Sequence, residues 1–467
     1  MIKAGFSKLN ITGAFTYKIC GYKINDPLFV RCFALVENDK PIHITFSLDF
    51  VELPEPFATT FRKVIAKALR IDPRKIVINV THTHSMPKMP NLKDDYFVKT
   101  LITAGKKAIN RASQAEISFI KTEAGKGFNI NRRWDSKRDF GTVTVIDNSG
   151  CVVKNGDIHV KGYVEKELSS LGFPEIKVSA SAKLDGPVDP DLTLLLFKSS
   201  KGSILGGIVR YASHPTFVAH FNGNIISADY PGFLLKTLEK HFGGDFLFLN
   251  GCSGDLRPYS KYYSVKGAKA FGRRLAAKLI SASKDLNYSP LNKANYSTKS
   301  ITLPVRTDLE KDIKKLTANF WLLRERNTSG NLSKLPVKKA REKDELRWAN
   351  DMMVYLNFTI FKGNNKYITR KYWPYSLGLL SIGPVNYLFF QEEVFSEMSR
   401  YLKTRFPEVE LNTVSLSNGG TSYLLPNNEI KKGGYEYTWS IFGRGAFETV
   451  KNTASKFISK CSSYKAS

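Results

Sequence analysis

The chain has 467 residues, 42% hydrophobic and 24% charged, which is the usage of a globular protein with an ample core and not of a disordered, collagenous or coiled-coil chain. No apolar run reaches the ~18 residues that a membrane helix needs, and the five cysteines (Cys20, Cys32, Cys151, Cys252, Cys461) include no C-x-x-C pair, so neither a thiolate zinc site nor a disulfide framework is suggested. The formal charge of +28 is spread over basic pairs such as Lys106-Lys107, Arg132-Arg133 and Lys431-Lys432, with no longer run, whereas a nucleic-acid binder usually concentrates its charge on one element, which argues against a specific nucleic-acid partner.

A positive field of this size would steer anionic substrates or draw the protein to an anionic membrane surface. The N-terminus, Met-Ile-Lys-Ala-Gly-Phe-Ser-Lys, lacks the apolar stretch of a secretory signal, so the expected location is cytoplasmic and the thiols are expected to be free.

In chain order, 41–50 reads as a buried strand and 56–70 as an amphipathic helix stopped by Asp72-Pro73. Lys75 to Val80 is a second apolar strand running into Thr81-His-Thr-His84, and a helix covers about 94–112. Residues 150–190 are turn-rich. Strands return at Leu192–Lys198, at Gly207–Tyr211 before Ser213-His214-Pro215, and at Asp245–Leu249 before Asn250-Gly-Cys-Ser-Gly-Asp-Leu-Arg-Pro258. Helices follow from Pro231 and over Gly267–Lys284. A charged stretch at 307–357 reads as a helical insertion, and the last third as a strand near 385–390, a helix from Glu392 to Thr404, a strand at 412–416 and a closing helix at 445–460. Strand, helix and strand with short connections predict a large single α/β domain with mixed sheets flanked by helices.

Of seven histidines, His82, His84 and His214 stand at the ends of predicted strands, where sheets deliver functional groups. In a strand, the spacing of His82 and His84 would set both rings on one face roughly 6–7 Å apart. Spacing alone does not establish a site, because a strand-end histidine is commonly a hydrogen-bonded structural residue. His43, His159, His220 and His241 read as structural.

The ordered strings say more. Thr81-His-Thr-His-Ser85, Asn129-Ile-Asn-Arg-Arg133, His214-Pro-Thr216, Ser227-Ala-Asp-Tyr-Pro-Gly232, Gly254-Asp-Leu-Arg-Pro258, Glu393-Val-Phe395 and Tyr423-Leu-Leu-Pro426, then Gly434-Tyr-Glu436, occur in that sequence along the chain. Together they resemble the catalytic domain of the neutral/alkaline ceramidase family, from about residue 3 to residue 460.

The resemblance implies a zinc-dependent amide hydrolase that cleaves an N-acyl bond, with Zn2+ held by His82, His214, Glu393 and Tyr423. Imidazole and carboxylate suit zinc, whereas a phenol is an unusual ligand. His84 would transfer protons and Arg132 would brace the oxyanion. Asp229 and Asp255 would orient the ligand histidines, although Asp229 equally fits a helix cap. Asn131 and Arg257 would touch substrate, a lipid such as a sphingolipid or another N-acylated small molecule.

Some positions depart from the family's pattern. Arg257 stands where the family commonly has serine, Gln391-Glu392-Glu393 replaces Pro-Gly-Glu, Met86 replaces a glycine, and no C-terminal β-sandwich domain is expected. A cation at the site entrance would favour an anionic N-acyl compound over neutral ceramide. The alternatives are the same zinc chemistry on a small non-lipid amide or ester, and a catalytically silent relative that binds lipid or a membrane surface.

Overall fold

The computed structural model describes residues 1–13, 22–86, 95–136, 142–144, 151–154, 157–164, 176–183, 186–218, 225–259, 263–307, 371–420, 422–433 and 435–462. The charged stretch at 307–357 thus falls, but for its first residue, outside the described residues.

Alternating or continuous apolar runs build β1 (Ile2–Asn10), β2 (Phe29–Glu37), β3 (Lys40–Leu48), β4 (Ile76–Val80), β5 (Ser113–Glu123), β6 (Asp191–Ser199), β7 (Ile204–Tyr211) and β8 (Asp245–Asn250). They join in the order β8-β7-β6-β5-β1-β2-β3-β4, with Ser289–Pro290 added beside β5. A second sheet runs β9 (Ala294–Pro304), β10 (Tyr372–Ile382), β11 (Val385–Phe389), β12 (Glu410–Val414). The helices are α1 (Glu55–Leu69), α2 (Asp95–Asn110), α3 (Asp229–Phe242), α4 (Val265–Ala282), α5 (Ser396–Arg405), α6 (Asn427–Lys432), α7 (Tyr435–Thr438) and α8 (Ala446–Ser462).

Helix α1 shows why these segments form. Ala58, Phe61, Ile65, Ala66 and Leu69 recur at helical spacing and are buried. Arg70 then adopts the left-handed conformation (φ 54°), its N–H reaching Ala66 O, and Asp72-Pro73 prevents continuation.

Within these two sheets most strand pairs are antiparallel, but three are parallel: β3 with β4, β7 with β8 and β11 with β12. A parallel pair needs a crossover, and α1, α3 and α5 supply it in the three cases. The large sheet curls until its ends touch, Ser47 Oγ of β3 donating to Phe248 O of β8 at 2.7 Å. Beyond β12, Ser415 N donates to Asn250 O at 2.9 Å, and Asn79 of β4 forms a bridge with Ser417. The carboxyl ends of β4, β8 and β12 therefore meet, which is where open α/β sheets bind ligands.

The core between the sheets centres on Phe6, Phe33 and Phe197, whose ring centroids lie 5.0–5.2 Å apart. Leu247, Leu380 and Phe389 pack with them. Helices cover the outer faces, α1 and α2 over β2–β4, α3 and α4 over β6–β8, α5 and α8 over the second sheet.

One buried charge cluster fastens the sheets together. Arg210, 0% exposed at the end of β7, pairs with Asp189, 1% exposed, and sends Nε to Thr413 O of β12 at 3.0 Å. Ser399 Oγ and Lys403 Nζ of α5 reach the same carboxylate at 2.6 and 2.8 Å.

Three readings are corrected. The helix expected from Glu392 starts at Ser396, because Glu393–Val394 form a short strand, Glu393 N donating to Ser422 O at 2.9 Å. The 150–190 segment contains strands Cys151–Lys154, Asp157–Val164 and Ile176–Lys183 of a small sheet with Arg133–Ser136 and Thr142–Thr144. The long strands β9 and β10 had no counterpart in the reading of the sequence; five residues of β9 are polar or charged in its central stretch Ser297–Ser300 and Thr302, which obscures its alternation.

Replacing Arg210 by Ala leaves Asp189 buried with only the partly exposed Lys403 as counter-charge. The expected loss is about 3–5 kcal/mol, the scale for breaking a buried ion pair, read from the denaturant midpoint.

Candidate metal centre

His82 follows β4 and is itself out of the strand, with φ at +70°, a backbone conformation rare outside glycine. Its backbone N–H is held by Phe50 O at 2.9 Å, while Thr81 N is held by Leu48 O at 2.8 Å, so the end of β3 fixes the turn. The consequence corrects the strand geometry expected for the pair. The His82 and His84 rings are pinched edge to face, with centroids 4.7 Å apart and the two Nε2 atoms 3.2 Å apart. His214 arrives from the end of β7, its ring centroid 4.8 Å from that of His82.

The carboxylate comes from a third direction. Glu393–Val394 and Tyr423–Leu424 form a two-residue parallel ladder in which Glu393 stands opposite Tyr423. Glu393 Oε2 lies 2.9 Å from His214 Nε2 and 3.3 Å from His82 Nε2. Gly254 makes this approach possible, since a Cβ there would stand 2.7 Å from Glu393 O.

The tautomers follow from the partners. His82 Nδ1 faces Val51 O at 2.5 Å and His214 Nδ1 faces Leu256 O at 2.7 Å. A carbonyl only accepts, so each Nδ1 carries the proton and each neutral Nε2 turns its lone pair inward. Lone pairs and a carboxylate turned on one another need a cation or protons between them. Ligand atoms about 2.0–2.2 Å from a tetrahedral zinc ion stand about 3.3 Å from each other, and the 2.9 and 3.3 Å separations fit that edge. The donor set suits such an ion. His82, His84 and His214 together could also hold a metal, their ligand atoms lying within 4.8 Å of one another.

Electrostatics give His214 a neutral ring and, with no ion between the groups, favour a proton on His82 beside Glu393. Burial pushes the His214 imidazolium pKa down to about 4, with Arg132 adding to the effect, so that ring is neutral at pH 7. Burial alone would raise the Glu393 carboxyl, but His82 and His214 outweigh it and hold it well below the usual range. Burial disfavours a proton on His82, yet Glu393 reverses this and raises its pKa.

Arg132 and Tyr423 join the cluster from one side. Arg132 Nη1 is 3.4 Å from His214 Nε2, and Nη2 donates to Tyr423 Oη at 3.0 Å and Gly254 O at 2.9 Å. His84 is half-buried, with its Nε2 beside that of His82.

The remaining expected residues lie further out. Asp255 does not meet a histidine ring. It accepts from Ser396 N (2.7 Å), Ser396 Oγ (2.9 Å) and Asn131 Nδ2 (2.7 Å), tying the start of α5 to strand Leu256–Pro258. Asp229, at φ +53°, accepts from Val218 N at 3.0 Å and Tyr230 N at 2.6 Å, fastening the loop after His214 to the start of α3. The groups that orient the His82 and His214 rings are backbone carbonyls, which no side-chain motif announces. Asn131 accepts from Arg133 N at 3.0 Å as well as bonding Asp255. Arg257, expected at an entrance, is 1% exposed, and its Nη1 donates to Tyr263 Oη at 2.6 Å. Glu436, to which the sequence reading gave no role, contacts Arg132 directly, Oε1 to Nε at 2.9 Å.

Two outcomes are expected. The protein takes up about one equivalent of zinc, lost in His82→Ala and His214→Ala, as elemental analysis after dialysis would show. Burial keeps the Asp229 proton in the folded protein up to about pH 7, against 3.8 for a free side chain. Unfolding therefore releases a proton across that window, and the stability tied to this group falls as pH rises from about 4 to about 7. Asp229→Asn should remove that part of the slope in denaturant midpoints measured at successive pH values.

No family model matches the chain, and no curated protein matches it in sequence. Its fold is similar to that of the neutral ceramidase from Pseudomonas aeruginosa, with a TM-score of 0.62 at 15% identity over 98% of this chain and 73% of the other. It is also similar to a ceramidase complexed with C2, with a TM-score of 0.61 at 15% identity over 95% of this chain and 72% of the other.

Proposed function

We propose that the protein is a zinc-dependent hydrolase of an N-acyl amide bond, a distant member of the neutral ceramidase group. The observation that carries the proposal is the convergence of His82 Nε2 and His214 Nε2 on Glu393 Oε2 within 3.3 Å, with both Nδ1 atoms committed to carbonyls. The similarity of fold to ceramidases points the chemistry toward amide cleavage.

In this reading His82, His214 and Glu393 hold the ion, with Tyr423 as the remaining ligand. When bound, zinc acidifies a coordinated water and polarises a carbonyl. Hydrolysis adds water across the C–N bond, so a proton must leave the water and reach the departing nitrogen. His84 is suited to carry it, since its Nε2 is 3.2 Å from that of His82 and its ring is half-buried, within reach of substrate. Arg132, with Nη1 directed at the same centre, would offset the charge that develops on the carbonyl oxygen. The substrate class proposed is an N-acylated amine, with ceramide as the first compound to assay. Arg257 is left out of substrate reading because its guanidinium is enclosed.

His84→Ala should keep the metal and lose rate by roughly 10²–10⁴-fold, the usual scale for an acid–base group. Zinc content and single-turnover hydrolysis of a short-chain N-acyl sphingosine would be measured together. A His84 variant without zinc would make His84 a ligand and overturn this division of labour. An apolar-free short N-acyl amine cleaved faster than the sphingosine amide would move the substrate class away from lipid.

A further inference from the structure

Arg132 reaches the metal centre as part of a buried chain of alternating charges. Glu436 is 0% exposed and gives one carboxylate oxygen to each of two neighbouring arginines. Its Oε1 accepts from Arg132 Nε at 2.9 Å, and its Oε2 from Arg133 Nη1 at 2.5 Å. Arg133 in turn donates Nε to Glu429 Oε2 at 2.7 Å and Nη2 to Gly433 O at 2.9 Å, which locks it to α6 and the turn after it. Arg132, Glu436, Arg133 and Glu429 alternate in sign, so each buried charge has an opposite one beside it, and the row ends at the surface on Lys432, whose Nζ donates to Glu429 Oε1 at 2.8 Å.

The row also fixes orientation. A guanidinium is planar, and its donors point in fixed directions. With Nε on Glu436 and Nη2 on Gly254 O and Tyr423 Oη, the plane has no remaining rotation, and Nη1 stands 3.4 Å from His214 Nε2. Arg132 and Arg133 follow one another in the chain, yet their side chains serve different ends: one edge toward the centre, the other anchoring the carboxylate that holds the first.

We propose that Glu436 is a positioning residue, which holds the Arg132 guanidinium so that its Nη1 edge faces the imidazole–carboxylate centre, with Arg133 securing the second carboxylate oxygen. The proposal rests on the hydrolase reading for its kinetic consequence only. The placement of Arg132 by Glu436 stands apart from it.

The test uses two variants of the full chain. Glu436→Asp keeps a charge between the arginines and withdraws it by one methylene, about 1.5 Å. Glu436→Gln keeps the length and removes the charge. Zinc content should stay native in both. Turnover should fall by about 10–100-fold, the usual cost of removing a group that orients a functional one, with KM changed far less than kcat. Combining Glu436→Asp with Arg132→Ala should cost no more than Arg132→Ala alone, because the carboxylate acts through the arginine. Native turnover in both variants, or losses that multiply in full, would overturn the proposal. So would a Glu436→Asp protein that fails to fold, which would assign the residue to stability.

A second readout does not need turnover. The ¹⁵Nε–H resonance of Arg132, assigned by its loss in Arg132→Lys, should exchange slowly with solvent in the native protein and faster in Glu436→Gln. An unchanged resonance would overturn the placement. If the native protein cleaves no N-acyl amine while this resonance behaves as described, the hydrolase reading falls and the positioning stands.

Discussion

The attachment of the second sheet to the first depends on a charge that has no access to water. Arg210 sits at the end of β7 and Asp189 just before β6, yet both engage groups of β12 and α5. Burial disfavours each charge, and their mutual attraction restores it: Asp189 is held well below the usual carboxylate range and Arg210 above its own. Such a pair gains little net stability over an apolar replacement, but it tolerates few alternative arrangements. It lies at the carboxyl ends of β7, which leads to His214, and of β12, which leads to Leu416, whose N–H donates to Glu392 O at 3.3 Å.

The centre itself is a place where groups are held against their inclination. His82 takes a left-handed backbone, and Asp229 does the same at the entry to α3. Gly254 yields space so that Glu393 can approach. Strain of this kind costs of order 1–3 kcal/mol per residue and persists only where neighbours over-determine it. Here the neighbours are backbone groups at and just after the end of β3, Leu48 O and Phe50 O, and Tyr423 opposite Glu393.

Much of the frame was legible in the sequence. The segments 41–50, 56–70, 75–80 and 94–112 have periodicities strong enough to resist tertiary override, and the structure has strands or helices there within a residue or two of those bounds. The strand-end positions of His82 and His214 were legible for the same reason. What was hidden has a common physical origin. A carbonyl belongs to every residue, so nothing marks Val51 or Leu256 as the partners that set the ring tautomers. The ladder of Glu393 with Tyr423 is two residues long and joins distant segments, below any periodic signal. Arg257 was read as exposed because arginine usually is, whereas the Tyr263 hydroxyl and the short strand that carries it enclose it. Glu436 stood within a recognised string, but its role depends on two arginines that lie some three hundred residues earlier.

The order in which the centre's parts leave the ribosome follows from those separations. His82 and His214 emerge with the first sheet, while Glu393 and Tyr423 belong to the final third of the chain. Pairings between remote segments form late, since loop closure must be met before their contacts reward it. A nascent chain would therefore carry two imidazoles at the strand ends long before the carboxylate that completes the set. A metal ion that prefers the finished arrangement binds the native state over every partial one and stabilises it by mass action. Metal loading would thus register that the last segment has docked, and an arrested or shortened chain would be distinguished from a finished one by its inability to retain the ion.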